Sequence, residues 1–217
     1  MDINSLLTQY FPTSKTPPSI DVFDAETIYA VYRKVIELLT RHMEIETTML
    51  QGLSYCYYEV LDNVLTHSGK TLGSVLSYYD ADAHSLRILV ADDGIGVRAS
   101  LASAEKYRNI SEEEALLSCI KDSVTDGKGM GFGLYSTSLL AQNVAIQFEI
   151  RSGEHKLQLI QGNMCVSPAD KWQGTLVFLE LHTNQEIDPQ SVVANRTDCV
   201  NEYNSLFLSD SKIDDLW

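Results

Sequence analysis

Three short stretches carry residue types that could do chemistry. Glu59, Asn63 and His67 recur every fourth residue, so a helix would set all three on one face. A carboxylate there can orient or deprotonate an attacking hydroxyl or water. An amide oxygen is a hard ligand that suits a hard cation such as magnesium. The second stretch, Asp92-Asp93-Gly94-Ile95-Gly96, presents two carboxylates and then a Gly-x-Gly turn. Such a carboxylate can accept a hydrogen bond from a ligand, and the glycines let backbone approach closely. The third, Asp126-Gly127-Lys128-Gly129-Met130-Gly131-Phe132-Gly133-Leu134, offers successive backbone amides ahead of a helix, the usual makings of an anion site. Each stretch also has a plain reading. A strand ending in Asp-Gly is usually only a turn, polar groups on a nearly buried helix need partners of their own, and a glycine cluster alone is weak.

The surrounding pattern supplies elements to position them. An apolar helix is expected over 46–66, carrying Glu59, Asn63 and His67, with Asp62 beside them to cap or orient. His67 reads equally well as a ligand-side residue or as a capping or packing histidine. Ser68-Gly69-Lys70 ends this helix. Strands over 72–80 and 85–91 read as a hairpin, and the second delivers Asp92 at its end. Residues 98–128 form a long insertion. Ser111 and Glu114 make a capping box that opens a helix over 112–122. Loops of that length inside a compact domain are usually functional. Of its basic residues Lys106, Arg108, Lys121 and Lys128, most read as solvated surface, and Lys128, next to the glycines, is kept as a candidate. A helix is expected over 132–142, then strands over 145–151, 156–161 and 175–182, with turns at Ser152-Gly153-Glu154 and near Pro168. Upstream, residues 1–22 carry three prolines and look irregular, and Asp24 can cap a packing helix over 25–41.

Composition narrows the classes. The chain has 217 residues and a formal net charge of −14. That charge argues against a nucleic-acid footprint or docking on an anionic membrane. A hydrophobic fraction of 44% is enough for one sizeable core. The four cysteines, Cys56, Cys119, Cys165 and Cys199, are scattered without metal or redox spacing. No apolar run reaches membrane-spanning length. The first residues lack the basic start of a signal peptide, so a cytoplasmic location is expected.

Taken in order and spacing, the three stretches resemble the boxes of the Bergerat ATP-binding superfamily of gyrase, Hsp90, histidine kinases and MutL. The resemblance covers roughly 45–182 and is closest to the ATP-binding domains of histidine kinases and anti-sigma serine kinases. It implies an α+β two-layer sandwich, a mixed, largely antiparallel sheet with helices packed on one face. No Gly-x-x-x-x-Gly-Lys-Ser/Thr occurs, so a Walker-type parallel sheet is not expected. The resemblance implies ATP and Mg²⁺ as cofactors. Asn63 would hold Mg²⁺, with Glu59 either joining it or acting catalytically on the nucleophile. Asp92, not Asp93, would read adenine, and guanine would leave that carboxylate unpaired. Gly94, Gly96, Lys128, Gly129, Gly131, Gly133 and Leu134 would surround the nucleotide, with Thr175 of the Gly174-Thr175 pair behind the base.

The organisation expected is an N-terminal extension over 1–44, the ATP-binding domain over 45–184 with its lid at about 98–128, and an acidic tail over 185–217. The function expected is transfer of the ATP γ-phosphoryl group to a Ser or Thr of a partner protein, or its hydrolysis. The alternative is a non-catalytic, ATP-gated interaction module. Partners would be ATP and a protein substrate or regulated protein, without nucleic acid or membrane, and with homodimerisation left open.

Overall fold

The structure is a computed structural model that describes residues 3–12, 14–42, 47–128, 133–143 and 146–182. Its centre is an antiparallel sheet of five strands. These are β1 (Ser19–Phe23), β2 (Gly73–Asp80), β3 (Ser85–Ala91), β4 (Ile146–Ile160) and β5 (Asn163–His182), in the order β1-β2-β3-β5-β4. Among the described residues, six α-helices accompany it: α1 (Ile3–Tyr10), α2 (Ile28–His42), α3 (Thr47–His67), α4 (Gly96–Leu101), α5 (Glu112–Cys119) and α6 (Gly133–Asn143). The α+β architecture is thus as expected, with two differences in detail. Every ladder among the described residues is antiparallel rather than mixed. The helices also do not all share one face.

The period-two alternation of the strands explains both layers. Val75, Val90, Val177 and Ile150 lie side by side across the sheet and join α2, α3, α5 and α6 in the main core. Their neighbours Leu76, Leu89 and Phe178 face the other way and are covered by Leu6, Tyr10 and Phe11 of the N-terminal segment. The N-terminal extension is therefore built into the same unit. β1 pairs with β2 from Ser19↔Ser77 to Phe23↔Gly73, and Phe23 is fully buried. Residues 1–22 looked irregular in sequence because α1 and β1 are short and separated by prolines. The structure shows a helix and an edge strand there.

Local chemistry sets several boundaries. Asp24 Oδ1 accepts from the backbone N–H groups of Glu26 and Thr27, both at 2.9 Å, ahead of α2. The Ser111–Glu114 capping box is formed at the start of α5. The three strands expected after α6 are two. Ser152-Gly153-Glu154 continues β4, with Gly153 at φ +66°, where the register slips so that β5 carries the extra residues (Ser152↔Thr175, Gly153↔Trp172, His155↔Pro168), and the chain reverses at Gln161-Gly162. Pro168 does not break β5, because β3 pairs with β5 only from Leu176 to His182. Pro168 lies where β5 has β4 on one side, the place a sheet tolerates proline. The acidic tail falls outside the described residues. Among the described residues, no helix is long and apolar enough to cross a membrane.

Candidate functional site

A cavity of about 340 Å³ opens between α3, α4, the end of β3 and the start of α6. That is within the size range of small-molecule sites. Its walls are apolar where the sheet and helices meet: Val60, Val64, Val90, Val97, Leu101 and Val177. Cys119 is also on the wall, and burial pushes its thiol up to about 12, which leaves it unreactive.

Of the residues singled out in the sequence, Glu59, Asn63, Asp92, Gly96, Lys128, Gly133, Leu134 and Thr175 all line this cavity. Gly94 lies just beneath it. A Cβ at Gly94 would run into the carbonyl of Ser68, so the glycine turn and the end of α3 can meet only without a side chain. The Ile95 N–H donates to the same carbonyl at 2.9 Å. Gly129 and Gly131 fall outside the described residues. Asp93 is exposed, with Lys70 at 3.4 Å.

Asp92 is held at the strand end from several sides. Its backbone N–H donates to the Thr175 carbonyl at 3.0 Å, and its own carbonyl accepts from Trp172 Nε1 at 2.7 Å. Its Oδ1 accepts from the Gly94 N–H at 2.8 Å. The residue is 6% exposed. Burial pushes the carboxyl above the usual carboxylate range, and the hydrogen bonds from Gly94 and Thr175 only partly offset this. Ser152 braces the turn from below. Its hydroxyl donates to the Gly174 carbonyl and accepts from the Val97 N–H, both at 2.9 Å.

Glu59, Asn63 and His67 also line the cavity and are half-buried along one face of α3, as their spacing required. The start of α6 presses against them. A Cβ on Gly133 would sit 2.6 Å from Glu59 Oε2 and 3.4 Å from Asn63 Nδ2. The glycine therefore keeps a narrow space between the first turn of α6 and the polar face of α3. Among the described residues no three His, Cys, Asp or Glu side chains cluster to hold a metal by themselves. A cation here would have to be bound by one or two side chains together with ligand oxygens and water, which is how magnesium is commonly held. Asn63 and Glu59 fit that pattern.

One residue of the site stands at the head of the third stretch but has no role assigned to it from the sequence. The Asp126 side chain is 1% exposed. Its Oδ2 meets His67 Nδ1 at 3.0 Å and accepts from the Ser100 hydroxyl at 2.8 Å. Its Oδ1 accepts from the Lys128 N–H at 3.0 Å. Burial raises this carboxyl, but the hydrogen bonds from His67, Lys128 and Ser100 outweigh burial and hold it below the usual range. His67 is thus part of a polar cluster on the cavity wall.

The chain matches no known family model and no curated protein.

Proposed function

We propose that the protein binds Mg·ATP in this cavity as a Bergerat-type domain. We propose that it passes the γ-phosphoryl group to a Ser or Thr hydroxyl of a partner protein, or to water. The observation that carries the reading is one cavity with apolar walls that is lined by a buried carboxylate, Asp92, and by Glu59 and Asn63 of α3, against which Gly133 brings the start of α6 close.

Each residue has a task in this reading. Asp92 accepts the exocyclic amine of adenine, with Thr175 alongside. Val90, Val97 and Val177 enclose the base. Gly133 opens α6, whose first-turn N–H groups point toward the anionic end of the ligand. Asn63, with Glu59 near it, would hold magnesium, which supplies neutralisation of charge on the phosphate oxygens. Glu59 takes the proton of the attacking hydroxyl or orients it.

A second reading has its own support. The cavity lining carries Glu59, Asp62, Asp92 and Asp126, against Lys128 and His67 and, among the described residues, no arginine. A phosphoryl-transfer site usually gathers cations on the transferring group. A lining this acidic also suits ATP as a slowly turned-over ligand that gates binding of another protein.

The deciding experiment is incubation with γ-labelled ATP, alone and with a cell extract, for the parent and Glu59→Gln. A labelled partner band or free phosphate, reduced roughly 10²-fold or more in Glu59→Gln with Mg·ATP affinity kept within about three-fold, is the expected outcome. Tight adenine-selective binding without transfer or hydrolysis supports the gating reading. Equal affinity for ATP and GTP, or none for either, overturns both.

A further inference from the structure

Asp126 has no role in the nucleotide contacts described above, yet it is a nearly fully buried carboxylate on the cavity wall. Its three partners come from three places: His67 at the end of α3, Ser100 in α4, and the backbone of Lys128. Lys128 is the cavity's lysine, and its ammonium stands 4.0 Å from Asp126 Oδ2. The segment that carries Lys128 is thereby tied to α3 and α4, two of the helices that form the cavity wall.

We propose that Asp126 is a positioning residue for the anionic end of the ligand: gripped by His67 and Ser100, its carboxylate fixes the backbone at Lys128 and so sets the ammonium at the cavity wall. The ligand part of this inference rests on the nucleotide reading, while the grip on Lys128 rests on geometry alone. The chemistry is a division of labour within one carboxylate. One oxygen is occupied by side chains of the scaffold, and the other is left for a backbone N–H of the segment to be held. Bidentate use of a buried carboxylate in this way orients a chain segment at little cost, because both oxygens are satisfied. The ammonium is only loosely paired at 4.0 Å, so it can turn to a phosphate without breaking a close ion pair.

The test uses the full chain with Asp126→Ala, Asp126→Asn, Lys128→Ala and the Asp126→Ala/Lys128→Ala pair. Hydrogen exchange at the Lys128 amide, measured without ligand, should quicken about tenfold or more in Asp126→Ala. It should stay near the parent rate in Asp126→Asn, whose amide oxygen can still accept from Lys128 while its NH₂ faces Ser100 and His67. Calorimetry with Mg·ATP and with adenosine should show ATP affinity down about tenfold in both Asp126→Ala and Lys128→Ala. Adenosine affinity should stay within about two-fold, and the double variant should bind ATP no more weakly than Lys128→Ala.

An unchanged Lys128 exchange rate in Asp126→Ala, additive losses in the double variant, or equal losses for adenosine and ATP would overturn the proposal. A parent protein that binds neither ligand removes the nucleotide reading and the ligand half of this inference with it. The exchange rates then still decide whether Asp126 holds Lys128. Should Asp126→Ala fail to fold, Ser100→Ala carries the same test, with the same preference for ATP over adenosine and a loss of about two- to three-fold. No such preference in Ser100→Ala overturns the proposal.

Discussion

Glu149 and Asp92 are buried carboxylates on opposite faces of one sheet, 7% and 6% exposed. Glu149, on the face covered by α1, is surrounded by donors. The Tyr10 hydroxyl donates at 2.5 Å, Gln158 Nε2 at 2.9 Å and an Arg151 terminal nitrogen at 3.3 Å, and Lys156 Nζ stands 3.8 Å away. Asp92, on the other face, has backbone donors on one side and a cavity on the other. A buried acid whose neighbours satisfy it belongs to the scaffold. Under the proposed function, the raised carboxyl of Asp92 is the group that takes a donor from the ligand. The contrast separates the two faces by task, although each combines aromatic or aliphatic packing with charged residues.

The largest effect should come from the scaffold side. Glu149→Ala deprives Arg151, whose side chain is 2% exposed, of its buried carboxylate. Denaturant unfolding should show a loss of roughly 3–5 kcal/mol, while nucleotide affinity of the folded fraction stays unchanged. A loss of binding with intact stability would erase the contrast.

Asp92→Asn should behave in the opposite way. ATP binding should weaken by roughly 1–3 kcal/mol, while Tm at neutral pH rises. Burial lifts the Asp92 carboxyl on folding. An acid raised on folding costs the fold nothing below its unfolded pKa and its full penalty above its folded pKa. The stabilisation by Asn should therefore appear at neutral pH and vanish in acid. Scanning calorimetry across pH checks the sign, and a Tm that falls at neutral pH would place Asp92 with Glu149.

Tyr10→Phe removes one donor from Glu149 and leaves the others. A loss of roughly 1.5 kcal/mol is expected, again without change in ligand affinity. The smallest effect belongs to Glu112, which anchors α5 to β4 at Glu154 and His155. The Glu154 N–H, and then His155 Nδ1, both at 2.9 Å, hold its carboxyl below the usual range. An acid lowered on folding contributes above its unfolded pKa and stops contributing as pH falls through its folded pKa. Glu112→Gln should therefore lower Tm by about a degree or two near neutrality and by nothing in strong acid, the reverse of the Asp92 profile.

Much of this molecule can be read from local sequence. Ser111 and Glu114 announce α5, the alternation over β2 and β3 announces the hairpin, and the spacing of Glu59, Asn63 and His67 places them on one face. These signals are carried by residues within a few positions of each other. What escapes the sequence is set by distant partners. Ser152-Gly153-Glu154 looks like a turn and continues β4 opposite a register slip in β5, with the Glu112 carboxylate, 42 positions from Glu154, set against Gly153 and the Glu154 N–H. Asp126 looks like a turn residue ahead of glycines, and its two side-chain partners are 59 and 26 positions away. α1 and β1 are too short to show a period. α1 covers Leu76, Leu89 and Phe178 on the far side of the sheet, and β1 is held by its ladder to β2 and by Phe23 in the main core.

The order β1-β2-β3-β5-β4 has a consequence for how the chain reaches this state. β2 with β3 and β4 with β5 are neighbours in sequence and can zip locally. Of the other two seams, β1–β2 and β3–β5, the longer joins Ala91 to Leu176, so α4, α5 and α6 are strung between two strands that must find each other. Closing so long a loop precedes any reward from the contacts it brings, which makes the β3–β5 seam the slow event of folding. Because closure entropy grows only with the logarithm of length, doubling that loop costs only about 0.6 kcal/mol. Flexible residues inserted after Leu101 should therefore barely slow refolding, whereas a shortened side chain at Val90 or Val177, on the seam itself, should slow it clearly.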